Sequence, residues 1–387
     1  MKYPLFKVHV DIPAAVAEFT KVLSSGFINE GIQVTQLTQE MSKLLQTDKL
    51  ALVNSCTSAL TLALRLSNVE YVDNVISTPM TCVATNTPIM ASQAFITWAD
   101  IDPTTGCIDP TSVEEILKTS IINPVKAVMA VAWAGNPPDL ERLRSICDQY
   151  GVKLILDAAH AFGAKYKGKQ IHEWAHHTCY SFQAIKHITT GDGGAIVCSD
   201  QDDFSRVKKL KWFGIDRDHA KDEKGNWNGQ SWDFDIIEAG FKFNMNNVAA
   251  AMGLSQIPHV NNIISSHVKN AKFYDELLLN NKFIEPLRRY DSAESTHWVY
   301  TVLLKDDVKF EKNDLLRILN QEHEIEAGHV HVPNHKYTCF NNAISTNLNG
   351  LELFQKKQFS LPCGWWLESN DIAHIVSCVN YACERLQ

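Results

Sequence analysis

Apolar positions along the chain follow two periods. Ile12, Val16, Phe19, Val22 and Leu23 recur at helical spacing over residues 12–23, which predicts an amphipathic helix. Val34, Leu37, Met41, Leu44 and Leu45 repeat that spacing. The stretch Ser24-Ser25-Gly26-Phe27-Ile28-Asn29-Glu30-Gly31 separates the two. A glycine-bounded loop of this kind serves equally well as a connector or as a source of ligand contacts. Short apolar runs follow at 50–54, 74–78, 95–99, 125–132 and 152–156, with helical stretches at 111–118 and 138–150. This alternation predicts an α/β layer sandwich around a mostly parallel sheet. From about residue 255 the pattern changes. A long amphipathic helix (Ile257 to Leu279) precedes extended residues 298–304, a helix at 312–320 and a final helix at 370–385. The expected division is a large three-layer α/β/α domain over 1–255 and a smaller C-terminal α+β domain over 256–387.

Sheets of this class bind ligands at the carboxyl ends of their strands. Thr57, Thr81, Asp157, Ser181 and Lys186 all fall at or just after predicted strand ends. After the first run, Ser55-Cys56-Thr57-Ser58-Ala59-Leu60 opens a helix. Its free backbone N–H groups and positive end suit a phosphate, although a hydroxyl there also serves as an N-cap. Leu154-Ile155-Leu156-Asp157-Ala158-Ala159-His160 is a hydrophobic strand with a carboxylate at its end. Lys186 sits in Ser181-Phe182-Gln183-Ala184-Ile185-Lys186-His187-Ile188-Thr189-Thr190-Gly191-Asp192-Gly193-Gly194. Glycines let that backbone pass close to something, and Thr189 and Thr190 add hydroxyls. A lysine in such a turn is either a solvated loop residue or a nucleophile that forms a Schiff base with a carbonyl compound such as pyridoxal phosphate. The second reading needs an anion beside the pyridine nitrogen, and Asp157 is the candidate.

Residues 217–232 are polar and turn-rich, with Trp227 and Trp232, and read as a mobile surface excursion. Phe241 to Asn247 then lead into Val248-Ala249-Ala250-Ala251-Met252-Gly253, a helix of small residues able to pack closely. His329, His331 and His335, and His172, His176 and His177, form two histidine groups, and His329 and His331 would share a strand face. Neither has a matching carboxylate or cysteine pattern, so no metal is assigned. Contact with a substrate hydroxyl or phosphate, or a structural role, remains open for each.

Composition narrows the class. The chain has 387 residues, 45% of them hydrophobic, which is enough for a sizeable core and two domains. The net charge is −8 and no basic tail is present, which argues against nucleic acid as a partner. No apolar run reaches membrane-spanning length, and Met1-Lys2-Tyr3-Pro4-Leu5-Phe6-Lys7 lacks the core of a signal peptide. Ten cysteines are scattered with no CxxC pair, which fits a reducing cytoplasm.

Taken together, the chain resembles the DegT/DnrJ/EryC1/StrS family of pyridoxal-phosphate-dependent sugar aminotransferases, of fold type I (aspartate aminotransferase-like). The motifs span nearly its full length. They are Ser-x-Thr-x-Ala-Leu at 55–60, Asp-x-Ala-His at 157–160, Ser-Phe-x-x-x-Lys at 181–186 followed by Thr-Thr-Gly-Asp-Gly-Gly, and Gly-Phe-x-x-x-Met-Asn-Asn at 240–247. Ile101-Asp102-Pro103 with Ile108-Asp109-Pro110 is also typical. The resemblance implies that Lys186 carries pyridoxal 5'-phosphate (PLP) as a Schiff base and, once released, shuttles the proton. It implies that Asp157 pairs with the pyridine nitrogen and that His160 approaches the phenolic oxygen. Cys56, Thr57 and Ser181 are expected at the phosphate, and His329, His331 and His335, with Trp365 and Trp366, where the C-terminal part closes over the acceptor.

Three positions depart from the family pattern. Cys82 stands where an aromatic residue usually stacks on the cofactor ring, so that stacking is altered or supplied elsewhere. Lys242 replaces the asparagine that reaches the partner subunit's phosphate, a role a lysine can fill as a point charge. Asn244 replaces a common arginine. The resemblance further implies a homodimer with shared active sites, into which the helix at 248–253 would pack. It implies an amino acid donor, glutamate, and a nucleotide-linked 3- or 4-keto-6-deoxy sugar as acceptor. The rival readings are a dehydratase working with the pyridoxamine form (PMP), in whose branch histidine replaces the lysine, an aminotransferase for a small phosphorylated ketone, and a non-enzymatic scaffold.

Overall fold

The computed structural model describes residues 1–119, 123–216 and 235–387. The excursion at 217–232 lies outside the described residues. Among them, seven strands build the central sheet: β1 (Leu50–Val53), β2 (Asn74–Ser77), β3 (Phe95–Trp98), β4 (Val125–Val131), β5 (Lys153–Asp157) and, after the short β6 (Lys165–Tyr166) and β7 (Lys169–Gln170), β8 (His177–Ser181) and β9 (Gly194–Cys198). Their lateral order is β1-β9-β8-β5-β4-β2-β3. β9 runs antiparallel to both its neighbours, and the other pairings are parallel. The sheet is therefore mostly parallel, with one reversed strand.

Its strands are buried on both faces, which is why they read as continuous apolar runs. Successive side chains alternate between two cores. Val53, Val75, Met129, Ile155 and Ile196 point to one core; Leu52, Ile76, Val128, Leu156 and Val197 point to the other. Helices α1 (Ile12–Ser25), α2 (Ile32–Leu45), α3 (Cys56–Leu66), α4 (Val83–Ala91), α5 (Pro110–Thr119), α6 (Leu140–Tyr150), α7 (Gln201–Leu210) and α8 (Asn247–Gln256) complete this part of the chain. Leu60, Leu64 and Leu210 cover the first face; Leu37, Met41, Val113 and Leu143 cover the second.

The C-terminal part builds on α9 (Val260–Leu278), and its antiparallel sheet is β10 (Ile284–Pro286), β12 (Tyr300–Leu304) and β13 (Gln358–Leu361) in the order β10-β12-β13. The two-residue β11 (Ala293–Glu294) instead pairs with β6. Helices α10 (Lys312–Glu322), α11 (Asn349–Lys357) and α12 (Ser369–Leu386) follow. Tyr274, Val302, Leu319, Phe359 and Val379 form this core, and Tyr3 joins it. Tyr3 bridges to Ile325, and the Leu5 amide donates to Glu326 Oε2 at 2.8 Å. The first residues of the chain thus pack with the C-terminal unit, across the division drawn at residue 255.

Two expectations change. The small residues of α8 are consumed within the chain, because α8 lies against α1 and α2. A Cβ on Gly253 would stand 2.7 Å from Leu37 Cδ2 and 2.9 Å from Thr190 Cγ2. Their smallness answers to those neighbours, so it does not argue for a subunit contact. His329 and His331 do not share a strand face either, since only the isolated bridge Gly328–Ser360 orders that segment.

Candidate active site

The site assembles at the carboxyl ends of β5 and β8. Ser181, Gly194 and Val53 stand in one lateral row across β8, β9 and β1. That row brings Ser181 beside the start of α3, which follows β1. Gly194 makes the approach possible: a Cβ there would lie 2.5 Å from the Cys56 amide nitrogen. Ser55 caps α3, its hydroxyl accepting from the Ser58 amide at 3.1 Å, while Cys56 and Thr57 form the first helical turn. First-turn N–H groups have no helical acceptor, and they favour an anion.

The turn that carries Lys186 is held by its own backbone. Phe182 N donates to Gly193 O and Thr190 N to Phe182 O, each at 2.9 Å. Thr189 Oγ1 also donates to Phe182 O, and Gly191 takes φ +80°. Thr190 Oγ1 donates to Asp192 O at 2.9 Å, so both threonine hydroxyls are engaged within the turn.

Asp157 ends β5. Its Oδ2 accepts from Thr85 Oγ1 at 2.7 Å, and its Oδ1 accepts from the Ala159 amide at 3.0 Å. Burial raises the carboxyl pKa, partly offset by Thr85, Ala159 and Lys186. A cation against this carboxylate would relieve that cost. Burial also lowers Lys186, to about 8, against the pull of Asp157, Cys82 and Cys56. The stem of Lys186 keeps some exposed surface, but its amine is enclosed. Nζ sits 3.5 Å from the centroid of the Trp298 ring.

His160 stacks on Trp298 at 3.9 Å between centroids and 15° between planes. His331 lies on the same stack, its Nε2 at 3.5 Å from His160 Nε2. Burial and Lys186 hold His160 well below the usual imidazole range and His331 at about 3. Both rings are therefore neutral at pH 7. His160 Nδ1 is buried without a hydrogen-bond partner, a cost that a ligand oxygen would remove.

The other expected residues divide. Cys82 immediately precedes α4 and lies near enough to Lys186 to act on its charge, but it offers no ring. His329 pairs with Gln358 beside β13, and His335 occupies a single turn at 334–336; neither joins the His160 group. Trp365 and Trp366 border a cavity of about 10 Å³ that reaches Lys186, together with Phe6, His9 and Trp298. Lys242 is exposed; its Nζ donates to Asn244 Oδ1 at 2.8 Å and lies 3.3 Å from the Trp212 centroid.

Three contributors were not legible as such. Thr85 sits within Thr81-Cys82-Val83-Ala84-Thr85 but is one of many threonines. Trp298 opens an apolar run and reads as core. Asn334 is fully buried, donating to Thr81 O and accepting from Asn86 Nδ2, each at 2.8 Å, which ties the His331 segment to the turn before α4.

This donor set fits pyridoxal phosphate. It offers an amine for the aldehyde, a buried carboxylate for the pyridine nitrogen, a neutral imidazole with an orphaned nitrogen for the phenolic oxygen, and a helix start cleared by Gly194 for the phosphate.

Known proteins agree with the geometry. The DegT/DnrJ/EryC1/StrS aminotransferase family matches residues 11–380. A sugar aminotransferase, CalS13 of Micromonospora echinospora, superposes with a TM-score of 0.88 at 31% identity, covering 98% of this chain and 99% of its own. AtS13 of Actinomadura melliaura gives 0.88 at 33% identity, with 98% of each chain covered. The UDP-4-amino-4,6-dideoxy-N-acetyl-beta-L-altrosamine transaminase of Campylobacter jejuni is 27% identical over 350 residues, 89% of this chain and 88% of that protein. With its fold, its lysine and its motifs in one register, the chain belongs to the DegT/DnrJ/EryC1/StrS aminotransferase family, and its cofactor is pyridoxal phosphate.

Proposed function

We propose that this enzyme moves an amino group from glutamate to a nucleotide-linked keto sugar, a 3- or 4-keto-6-deoxy sugar, for a surface glycan or a deoxyaminosugar. The observation that carries the reading is the enclosed amine of Lys186, held beside Asp157 and His160 with no hydrogen-bond acceptor among the described residues. The sugar and its nucleotide are supported by relatives named as a sugar aminotransferase and a UDP-sugar transaminase.

Bound pyridoxal phosphate supplies an electron sink that lets an amino group leave one substrate and join another. The chain's residues do the rest. Asp157, kept in place by Thr85 and Ala159, holds a proton on the pyridine nitrogen. His160 orients the ring through its phenolic oxygen. Ser181 and the first turn of α3, at Cys56 and Thr57, bind the phosphate. Lys186 Nζ, with a pKa near neutrality, takes the proton from the substrate carbon and returns it. His331 lies close enough to this group to meet the acceptor.

The working unit in this reading is a homodimer. Ile12, Val16, Leu23, Phe27 and Ile32 are exposed along α1, the following loop and the start of α2, and such a row suits a second copy. Lys242 would serve the neighbour's phosphate. All ten cysteines are free, which supports a reducing, cytoplasmic setting. No helix among the described residues is long and apolar enough to cross a membrane.

An absorbance spectrum of the purified protein is the test. A band at about 400–430 nm should move to about 330 nm with glutamate and be lost in Lys186→Ala. Mass spectrometry of keto-sugar incubations should then give an aminosugar. A product that has lost water without gaining nitrogen would overturn the aminotransfer in favour of dehydration.

A further inference from the structure

Trp298 touches the catalytic lysine, the residue before it and His160. The Lys186 amine lies over its ring at 3.5 Å from the centroid. Its indole Nε1 donates to the carbonyl of Ile185, the residue before Lys186, at 2.9 Å. Its plane stacks on His160. Phe6 packs on the same indole at 4.7 Å and 29°. The indole is only 3% exposed, so it has one position available. One hydrogen bond and two ring stacks hold the indole, and the hydrogen bond also holds the peptide group that leads into Lys186.

During amino transfer Lys186 must leave the cofactor and return to it. A freed ammonium group in an enclosed site needs a counterpart. Asp157 is engaged by Thr85 and Ala159. The imidazoles of His160, His187 and His331 are all lowered by burial and repelled by the Lys186 charge. The remaining titratable groups facing Lys186 are Cys56 on α3 and Cys82 before α4. An aromatic face attracts a cation and does so more strongly when water is excluded.

We propose that Trp298 is a positioning residue for Lys186: its ring face receives the ε-ammonium group whenever the lysine is not bonded to the cofactor, and keeps it beside the reacting carbon. The inference rests on the aminotransferase reading.

The test reads the free lysine directly. Cofactor-free, full-length protein is mixed with PLP across a pH series, and capture on Lys186 is followed at about 400–430 nm and trapped with borohydride for peptide mapping. Removing the face removes what favours the ammonium form. In Trp298→Leu the midpoint of capture should fall by about half to one pH unit, while Trp298→Phe, which keeps a face but not the Nε1 bond, should stay nearer the wild type. Fluorinated tryptophan, which weakens the ring's negative face without changing its shape, should lower the midpoint stepwise with fluorine number in the wild type and leave it unmoved in Trp298→Phe. This series decides the matter even if Trp298→Leu does not fold. An unmoved midpoint in folded Trp298→Leu, or no effect of fluorination, overturns the proposal while leaving the aminotransferase reading intact. Wild-type protein that captures no PLP on Lys186 overturns both.

Discussion

Two buried acid–base groups sit at opposite ends of the same part of the sheet. At the amino end of β8, His177 is fully buried; its Nε2 meets Asp203 Oδ2 at 2.8 Å and its Nδ1 meets Ser67 Oγ at 3.4 Å. Ser67 in turn donates to Ala63 O at 2.8 Å. Serine, histidine and aspartate in a row resemble a hydrolytic triad, but here the serine hydroxyl is buried and already engaged. At the carboxyl end, Asp157 and His160 are buried and the Lys186 amine is enclosed, yet His160 Nδ1 has no partner and the Lys186 amine has only an aromatic face. Buried polar groups are normally satisfied. Saturation marks the first group as structural, and the unmet valences of the second mark the place where a ligand completes the set.

The comparison can be broken most decisively at the carboxyl end. Lys186→Ala should cut turnover by about a thousandfold or more with little change in melting temperature. Asp157→Asn, which still accepts from Thr85, should cost about a hundredfold or more in kcat, again without unfolding. Thermal melts beside steady-state rates check both. A large fall in stability would make this group structural like the other.

Asp203→Ala should reverse the pattern. Losing a charged hydrogen bond to a buried histidine should cost about 1.5–3 kcal/mol of stability in urea unfolding, with the 400–430 nm region and kcat close to wild type. Burial acts to raise the Asp203 carboxyl, but His177, with Lys153 and Asp200, holds it below the usual range. The pair therefore stabilises above the ordinary carboxylate pKa, and that share is lost as pH falls through the lowered value.

Buried histidines add a wider acid sensitivity. His267 is held at about 4, and His297 and His331 at about 3, burial being the main cause in each. Their folded-state values lie below that of an unfolded histidine. Their contribution is present above about pH 6.5 and shrinks as pH falls, each steepening the loss by up to about 1.4 kcal/mol per pH unit. Melting temperature should thus fall steadily from pH 6.5 to 4.5. His331→Ala should flatten that slope, and a pH-independent melting temperature would contradict these burials. The smallest effect is expected at His329, where alanine should leave turnover within about twofold, because its ring faces Gln358 and not His160.

Much of the site was legible because its parts lie close in sequence to strand ends. Asp157, Ser181 and Lys186 follow apolar runs whose length and alternation with helices predict a parallel sheet, and parallel sheets gather such ends on one edge. Gly194 is legible as a close approach, though not what it approaches. The histidines of 329–335 were less tractable, since a segment without regular structure carries no period from which to read direction. Its course depends on Asn334 anchoring to Thr81 and Asn86, 253 and 248 residues away. Trp298 was invisible for a related reason: an aromatic residue opening an apolar run has the same pattern whether it packs in a core or floors an active site. The small residues of α8 show the converse. Their pattern announced close packing, but only the positions of Leu37 and Thr190 decide what they pack against.

The sequence by itself determined the layered α/β architecture, the order of its elements and the lysine, carboxylate and glycines of the site, because burial periodicity and local turn chemistry act over a few residues. The tertiary structure alone decided which histidine joins His160, that Trp298 lies under Lys186, and that Tyr3 belongs with the C-terminal core. Those depend on contacts between segments far apart in the chain, where packing volume and unmet hydrogen bonds, summed over the whole fold, select one arrangement among many that local preference allows.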